Sequence, residues 1–373
     1  MNNKKFLICL FVITAMVSLL TILNFDKIKK YLANREWEIA DSVGKIEIEN
    51  YLDIFGTSSN LITVNTNGIQ VFSENAKKLF EQLASLKEVV SDTAGDYAII
   101  AEKNGTNVYT INKDRLAWQE NINNANILSV TINKNGYSAV IYSQAGYRSL
   151  IKVYSNTGEE LFTSYLASTY AIDVAISNDN KTLAIAEIDT NGVSLESSIK
   201  IINVQAVSNE EVRKYELENN EMITNIEFDY YNHLVIMTDM GVKLLNNAEI
   251  SKIVDFKEGD FTQCIIDNTK KVIATKAIED GLFSVKCYIC IYDLNSSDIK
   301  NYELEDVPNS IVTCGDIIAA DMGNKIVFLN CSGNFFKKCE YNGQLKDLLL
   351  FRNGDMAALV FRNSVEIIKI GGI

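Results

Sequence analysis

Residues 133–158, NKNGYSAVIYSQAGYRSLIKVYSNTG, spell out the unit on which the fold assignment rests. The turn Asn133-Lys-Asn-Gly136 is followed by an apolar run from Ser138, then a small hairpin. A strand alternating at period two comes next, Leu150-Ile-Lys-Val-Tyr154, and then a second turn, Ser155-Asn-Thr-Gly158. Asn and Gly supply the positive φ values and local hydrogen bonds that tight hairpins need. Alternation at period two is the signature of a strand with one face buried.

On either side of this stretch the same unit recurs along the chain. Its second strands begin near Leu61, Tyr97, Ser138, Thr182, Leu234, Val272, Ile317 and Met356, at intervals of 36 to 52 residues. Similar turns precede them, among them Asp92-Thr-Ala-Gly-Asp96, Ser177-Asn-Asp-Asn-Lys181, Asp229-Tyr-Tyr-Asn-His233 and Arg352-Asn-Gly-Asp355. The third strands are alike too, from Asn107-Val-Tyr-Thr-Ile111 to Val365-Glu-Ile-Ile-Lys-Ile370. Self-similarity at such a period marks a repeat architecture. A hairpin plus a further strand per unit predicts an all-β fold: a β-propeller of about eight four-stranded antiparallel blades, whose radial packing protects the sheet edges. A solenoid or a pair of β-sandwiches is the competing organisation, but a sandwich would not keep one unit with one turn chemistry from Leu61 to the end. The last unit ends soon after its third strand, so an outer strand must come from elsewhere. Lys45-Ile-Glu-Ile-Glu49 alternates at period two and is expected to fill that place, which puts the propeller domain at residues 45–373.

Ahead of the propeller, Phe6 to Leu23 runs for 18 positions without a charge. At about 1.5 Å per residue this crosses most of a ~30 Å hydrocarbon layer as one helix. No A-x-A cleavage pattern lies between Ser18 and Asn24, and Cys9 is not in a lipobox. Residues 6–24 are therefore expected to be an uncleaved transmembrane signal anchor, 1–5 a cytoplasmic tail and 25–44 a charged, helical juxtamembrane stalk. Lys4 and Lys5 on one side face Lys27, Lys29, Lys30 and Arg35 on the other, so the positive-inside count does not orient the helix. Short-tailed anchors usually export the domain C-terminal to them, so the expectation is a single-pass protein of the cytoplasmic membrane with its propeller on the extracellular side.

The chain carries a formal charge of −13; beyond the anchor 35 − 2 = 33 bases face 48 acids, giving −15. Such a surface repels phosphate backbones, so nucleic acid is not expected as a partner. Chemistry is also sparsely provided. The single histidine, His233, lies in a turn, and one histidine makes neither a multi-histidine metal site nor, without a G-x-S-x-G elbow, a nucleophile's base. Six cysteines come after the anchor: Cys264, Cys287, Cys290, Cys314, Cys331 and Cys339. Buried small hydrophobes are the expected role, with a disulfide in the last blades as the alternative. Cys287 and Cys290 stand three apart on a strand and so point to opposite faces, which removes the pair as a metal half-site. Acids crowd two connections, at Glu216, Glu218 and Glu221 and at Glu303, Glu305 and Asp306, where solvated loops are the plain reading. No calcium loop, P-loop or dinucleotide fingerprint occurs. No catalytic, cofactor-binding or metal residue is assigned, and no cofactor is expected.

Units of this form, with an x-Φ-x-Φ-Tyr strand running into Asn-x-Gly, resemble WD40-like and quinoprotein-like propellers. The anchor-plus-propeller layout resembles an uncharacterised family of signal-anchored bacterial propellers of Clostridia type. The resemblance implies a propeller over residues 45–373. The Gly-His and Trp-Asp dipeptides of WD40 repeats are absent, and Trp37 and Trp118 are the only tryptophans. The expected function is a membrane-anchored, extracytoplasmic, non-catalytic binding or scaffolding module for a protein or cell-envelope partner. A carboxylate-based extracytoplasmic hydrolase using the central propeller pocket is the alternative.

Overall fold

Turns set the local geometry. Gly95, Gly136, Asn180, Asn232 and Gly354 all adopt positive φ, at 60, 83, 62, 65 and 91°, and each reverses the chain between the first and second strands of a repeat. In the computed structural model, which describes residues 38–39, 42–204, 212–217, 221–258, 260–267, 271–279, 285–296 and 298–370, every repeat is one antiparallel sheet with its strands in chain order. Seven blades span residues 51–83, 89–121, 126–166, 169–216, 223–255, 260–304 and 310–340. The eighth combines residues 347–369 with Ser42–Glu47. The second strands start at Leu61, Tyr97, Ser138, Thr182, Leu234, Lys271, Ile317 and Met356, so only one start departs from the sequence reading, and by one residue.

The ring closes as the alternation of the N-terminal strand suggests. Ser42–Glu47 pairs antiparallel with Ser364–Lys369, Lys45 opposite Glu366 and Glu47 opposite Ser364. The closing strand begins at Ser42, three residues ahead of the expected boundary. Two residues further upstream, Glu38–Ile39, pair in parallel with Cys339 and Glu340 on the outer strand of the seventh blade. At these positions the stretch expected to be helical is extended, because the open outer edges of the last two blades offer unpaired backbone groups that a strand satisfies. The expected transmembrane helix at 6–24, the tail at 1–5 and the rest of the stalk lie outside the described residues. Among the described residues no helix is long and apolar enough to cross a membrane.

The core lies between blades, not within one sheet. Alternate residues of each second strand point to opposite neighbours: Ile99 and Ala101 pack toward the third blade, Ala98 and Ile100 toward the first. This double burial explains why the second strands read as continuous apolar runs. Eight such clusters occupy the eight interfaces, the last uniting Ile46, Ile367 and Phe351 with Leu61 across the closure.

Candidate functional site

The first strands are the inner edges of the blades, and those of neighbouring blades pack side by side around the axis. An edge strand presents unpaired N–H and C=O groups, which must find partners. In five blades the first strand carries a bulge, after Tyr51, Ile127, Ala171, Ile223 and Phe261, and the next paired residue is polar: Asp53, Ser129, Asp173, Asn225 and Gln263. A bulge re-aims the side chain beside it. Several of these polar groups reach the next blade.

Asp173 Oδ2 accepts the Ile226 N–H at 2.8 Å and the Asn225 side-chain amide at 3.1 Å. Gln263 Oε1 accepts the Ile311 N–H at 2.8 Å, while its amide donates to the Asn309 carbonyl at 2.8 Å. Asp92, on an unbulged strand, does the same: its Oδ2 accepts the Ile132 N–H at 2.8 Å and the Thr131 hydroxyl at 2.9 Å. Asp53 accepts the Ser91 hydroxyl. These residues are latches that cap the inner edge of the next blade. Burial acts on two of these carboxyls. It pushes the Asp92 carboxyl up to about 6, against the hydrogen bonds from Ile132, Thr131 and Thr93, and raises Asp173 less, against those from Ile226 and Val174.

Between the second and fifth blades the axis widens into a funnel of about 600 Å³. Asp92, Asp173 and Glu227 stand in its wall, and Lys134, Asn178 and Tyr230 at its mouth. The mouth is formed by the turns between first and second strands, which are laced together. The Asn133 amide donates to the Ser177 carbonyl at 2.8 Å and to Asn180 Oδ1 at 2.7 Å. The Asn178 N–H donates to Asn232 Oδ1 at 2.6 Å. The Lys134 ammonium lies 4.8 Å from the centre of the Tyr230 ring, a cation–π arrangement between the third and fifth blades.

His233 belongs to this rim. Its Nδ1 lies 3.0 Å from Oδ2 of the buried Asp229, whose Oδ1 accepts the N–H groups of Tyr231 and His233, both at 2.8 Å. The histidine is therefore part of a stapled turn. The cysteines divide as strand alternation requires: Cys287 packs toward the seventh blade and Cys290 toward the fifth. All six carry thiols, none in a disulfide. Burial pushes the Cys264 thiol up to about 12 and raises Cys287 and Cys290 as well. The acidic connections do not converge. Glu221 pairs with Lys243 at 2.7 Å, Glu305 with Lys338 at 2.8 Å and Glu216 with Lys214 at 3.3 Å, and Glu218 lies outside the described residues. Glu303 and Asp306 line a separate hollow of about 320 Å³ between the sixth and seventh blades. Among the described residues no group of three or more His, Cys, Asp or Glu is placed to hold a metal ion.

Sequence reasoning missed the latch residues. Their trace was there only as polar residues interrupting the first strands, such as Asp53 in Tyr51–Gly56 and Asp173 in Thr169–Ile176.

A closed ring of eight four-stranded blades around an axial funnel defines a WD40-like β-propeller. The chain belongs to the family described as "Family of unknown function (DUF5711)", whose model matches residues 29–370. Among solved structures, the C-terminal WD40 domain of Sif2 is similar over 90% of this chain and 100% of its own, with TM-score 0.60 and 13% identity. A eukaryotic initiation factor is similar over 86% of both chains, with TM-score 0.56 and 13% identity. Apo AztD from Citrobacter koseri is similar over 82% of this chain and 90% of its own, with TM-score 0.55 and 12% identity. At these identities the likeness is one of fold alone. No curated protein matches the chain.

Proposed function

We propose that this chain is a membrane-anchored, extracytoplasmic binding or scaffolding module, held by residues 6–24, that engages a protein or cell-envelope partner through the funnel mouth and its rim of turns. One observation carries this reading. Both aspartates of the funnel wall accept three hydrogen bonds from the fold itself: Asp92 from Thr93, Thr131 and Ile132, and Asp173 from Val174, Asn225 and Ile226. A hydrolase needs one carboxyl to protonate a leaving group while another activates water. Groups that cap neighbouring strands are held away from that work, and what they build is a rigid, negatively charged cup. A carboxylate-based hydrolase in the same pocket is the second reading, favoured by the raised Asp92 carboxyl, which lies in the range suited to a general acid. Photo-crosslinking from Tyr230 and Tyr231 in native membranes, with identification of the attached molecule, separates the two. A discrete partner retained by Asp92→Asn supports the scaffold. Turnover of a glycan or peptide that Asp92→Asn abolishes, without loss of folding, overturns it.

A further inference from the structure

We propose that the outer strand of the third blade, Glu160–Leu166, is a self-association edge, and that a second copy of this chain pairs antiparallel with it about Thr163, joining two blades into one sheet. The inference goes beyond the binding-module reading and does not depend on it.

The outer strand of each blade is an edge whose outward N–H and C=O groups are open to another strand, and a lysine or arginine within it is a common guard against such pairing. Seven of the eight outer strands carry one, from Lys45 in Ser42–Glu47 and Lys78 in Lys78–Leu83 to Lys338 in Phe335–Glu340. The third blade's strand does not. Leu161-Phe-Thr-Ser-Tyr-Leu166 is a run of six residues without charge, proline or glycine. On an open edge such a run is prone to pair with another strand. Its one acid, Glu160, is tied back into its own blade, 2.8 Å from the Lys152 ammonium and 2.8 Å from the Thr163 hydroxyl. Among the described residues no strand lies beyond it.

A second, independent observation concerns the side chains beside this edge. Phe162 and Leu166 pack into the core shared with the fourth blade, so alternation turns Leu161, Thr163 and Tyr165 to the other face. There Leu161 is 39% and Tyr165 57% exposed, and the Tyr147 ring, itself 43% exposed, stands 5.1 Å from that of Tyr165. An exposed apolar strip of this kind marks an interaction surface. The seventh blade shows that the ring accepts a further strand, since its outer edge pairs with Glu38–Ile39.

The strand is complementary to itself. Pairing about Thr163 sets Thr163 against Thr163 and Leu161 against Tyr165 on both sides, cross-strand contacts that stabilise a sheet. Glu160 falls opposite Leu166, which keeps the two acids apart. A chain with a formal charge of −13 repels its own copy over most of its surface, and this uncharged strip is where two copies can meet. Orientation agrees. Neighbouring strands rotate by about 20–25°, so the outermost strand of a four-stranded blade lies roughly 60–75° from the innermost. The two-fold axis of an antiparallel pair is perpendicular to its sheet, and at the outer edge that direction has turned toward the propeller axis. Both mouths then face the same way, in accord with anchoring in one bilayer. One strand and three side chains per copy make a contact at the low end of interface sizes, under about 1,200 Å² in total, so the dimer is reversible.

Sedimentation equilibrium of the full chain in detergent should show monomer and dimer exchanging with a Kd on the order of micromolar. Thr163→Lys sets like charges face to face on the two-fold axis and should weaken the dimer at least about tenfold. Tyr165→Lys should weaken it as well. Leu83→Lys, the same kind of change on the first blade's outer strand, should leave it unaltered. A chain that stays monomeric well above micromolar concentration overturns the proposal. So does a dimer that neither edge variant weakens, because it is then held elsewhere. Tyr165 is exposed, so its variant decides the matter if Thr163→Lys does not fold. A photoreactive residue in place of Tyr165 that captures a different protein, while the chain stays monomeric, gives the edge to a partner's strand and overturns the second copy.

Discussion

Asp173 shows how a single residue can serve both the ring and its cavity. Its Oδ2 caps the inner edge of the fifth blade through the Ile226 N–H at 2.8 Å, an amide that has no strand beyond it. Asp173→Ala leaves that donor without its acceptor in a half-buried place, and the expected loss of folding stability is about 1–3 kcal/mol. Asp173→Asn keeps an acceptor oxygen and should lose less; urea unfolding of the two variants measures the difference. Asp92 adds a dependence on pH. Its carboxyl is raised from 3.8 to about 6 in the fold, so the folded state holds that proton more tightly than the unfolded chain. The stability it contributes is fully present below 3.8, declines as pH rises, and is gone above about 6. Asp92→Asn should remove this decline, so the difference in melting temperature between wild type and variant should shift in the variant's favour between pH 4 and pH 7. A constant difference across that range would refute it. Neither role was readable beforehand, because a polar residue in a first strand says nothing about which blade its side chain will reach.

Among the elements, the strand that closes the ring decides whether the molecule has an edge. Ser42–Glu47 supplies the outer strand of the eighth blade, and Ile46 and Ile48 are buried in the cluster that joins that blade to the first. Removing residues 1–41 leaves this strand in place, and the shortened chain is expected to stay folded and monodisperse. Removing residues 1–50 strips the strand and both isoleucines, each worth roughly 1.5–3 kcal/mol when buried, and opens the edge of Ser364–Lys369 to other chains. A lower melting temperature and aggregation by size-exclusion chromatography should result, and equal behaviour of the two truncations would reject the closure. The elements were legible for a physical reason. Turns are written in residues that tolerate positive φ, such as Gly136 and Asn180, and second strands buried on both faces become unbroken apolar runs. The limits of the closing strand were less legible, since Ser42-Val-Gly44 has no apolar alternation of its own and is strand only because the eighth blade offers it an edge.

For the molecule as a whole, the repeat period announced the propeller, while the funnel came from the third dimension. Its wall is assembled from residues as distant in sequence as Asp92 and Glu227, and no local spacing reports that they share a cavity. The proposed position outside the cytoplasm bears on the cysteines, because six thiols there would face an oxidising environment. The fold makes that tenable. Reactivity requires the thiolate, and burial raises Cys264 to about 12 and holds Cys287 and Cys290 above the usual thiol range, with Cys331 and Cys339 also buried. A propeller displayed outside should therefore behave in two ways at once. In intact protoplasts an added protease should remove it from the membrane, and a membrane-impermeant maleimide should leave its thiols largely unlabelled until denaturant opens the blades. Protection from protease until the protoplasts are lysed would place the domain inside. Rapid maleimide labelling of the native domain would show that the thiols are accessible after all, and burial would then no longer explain how they persist outside.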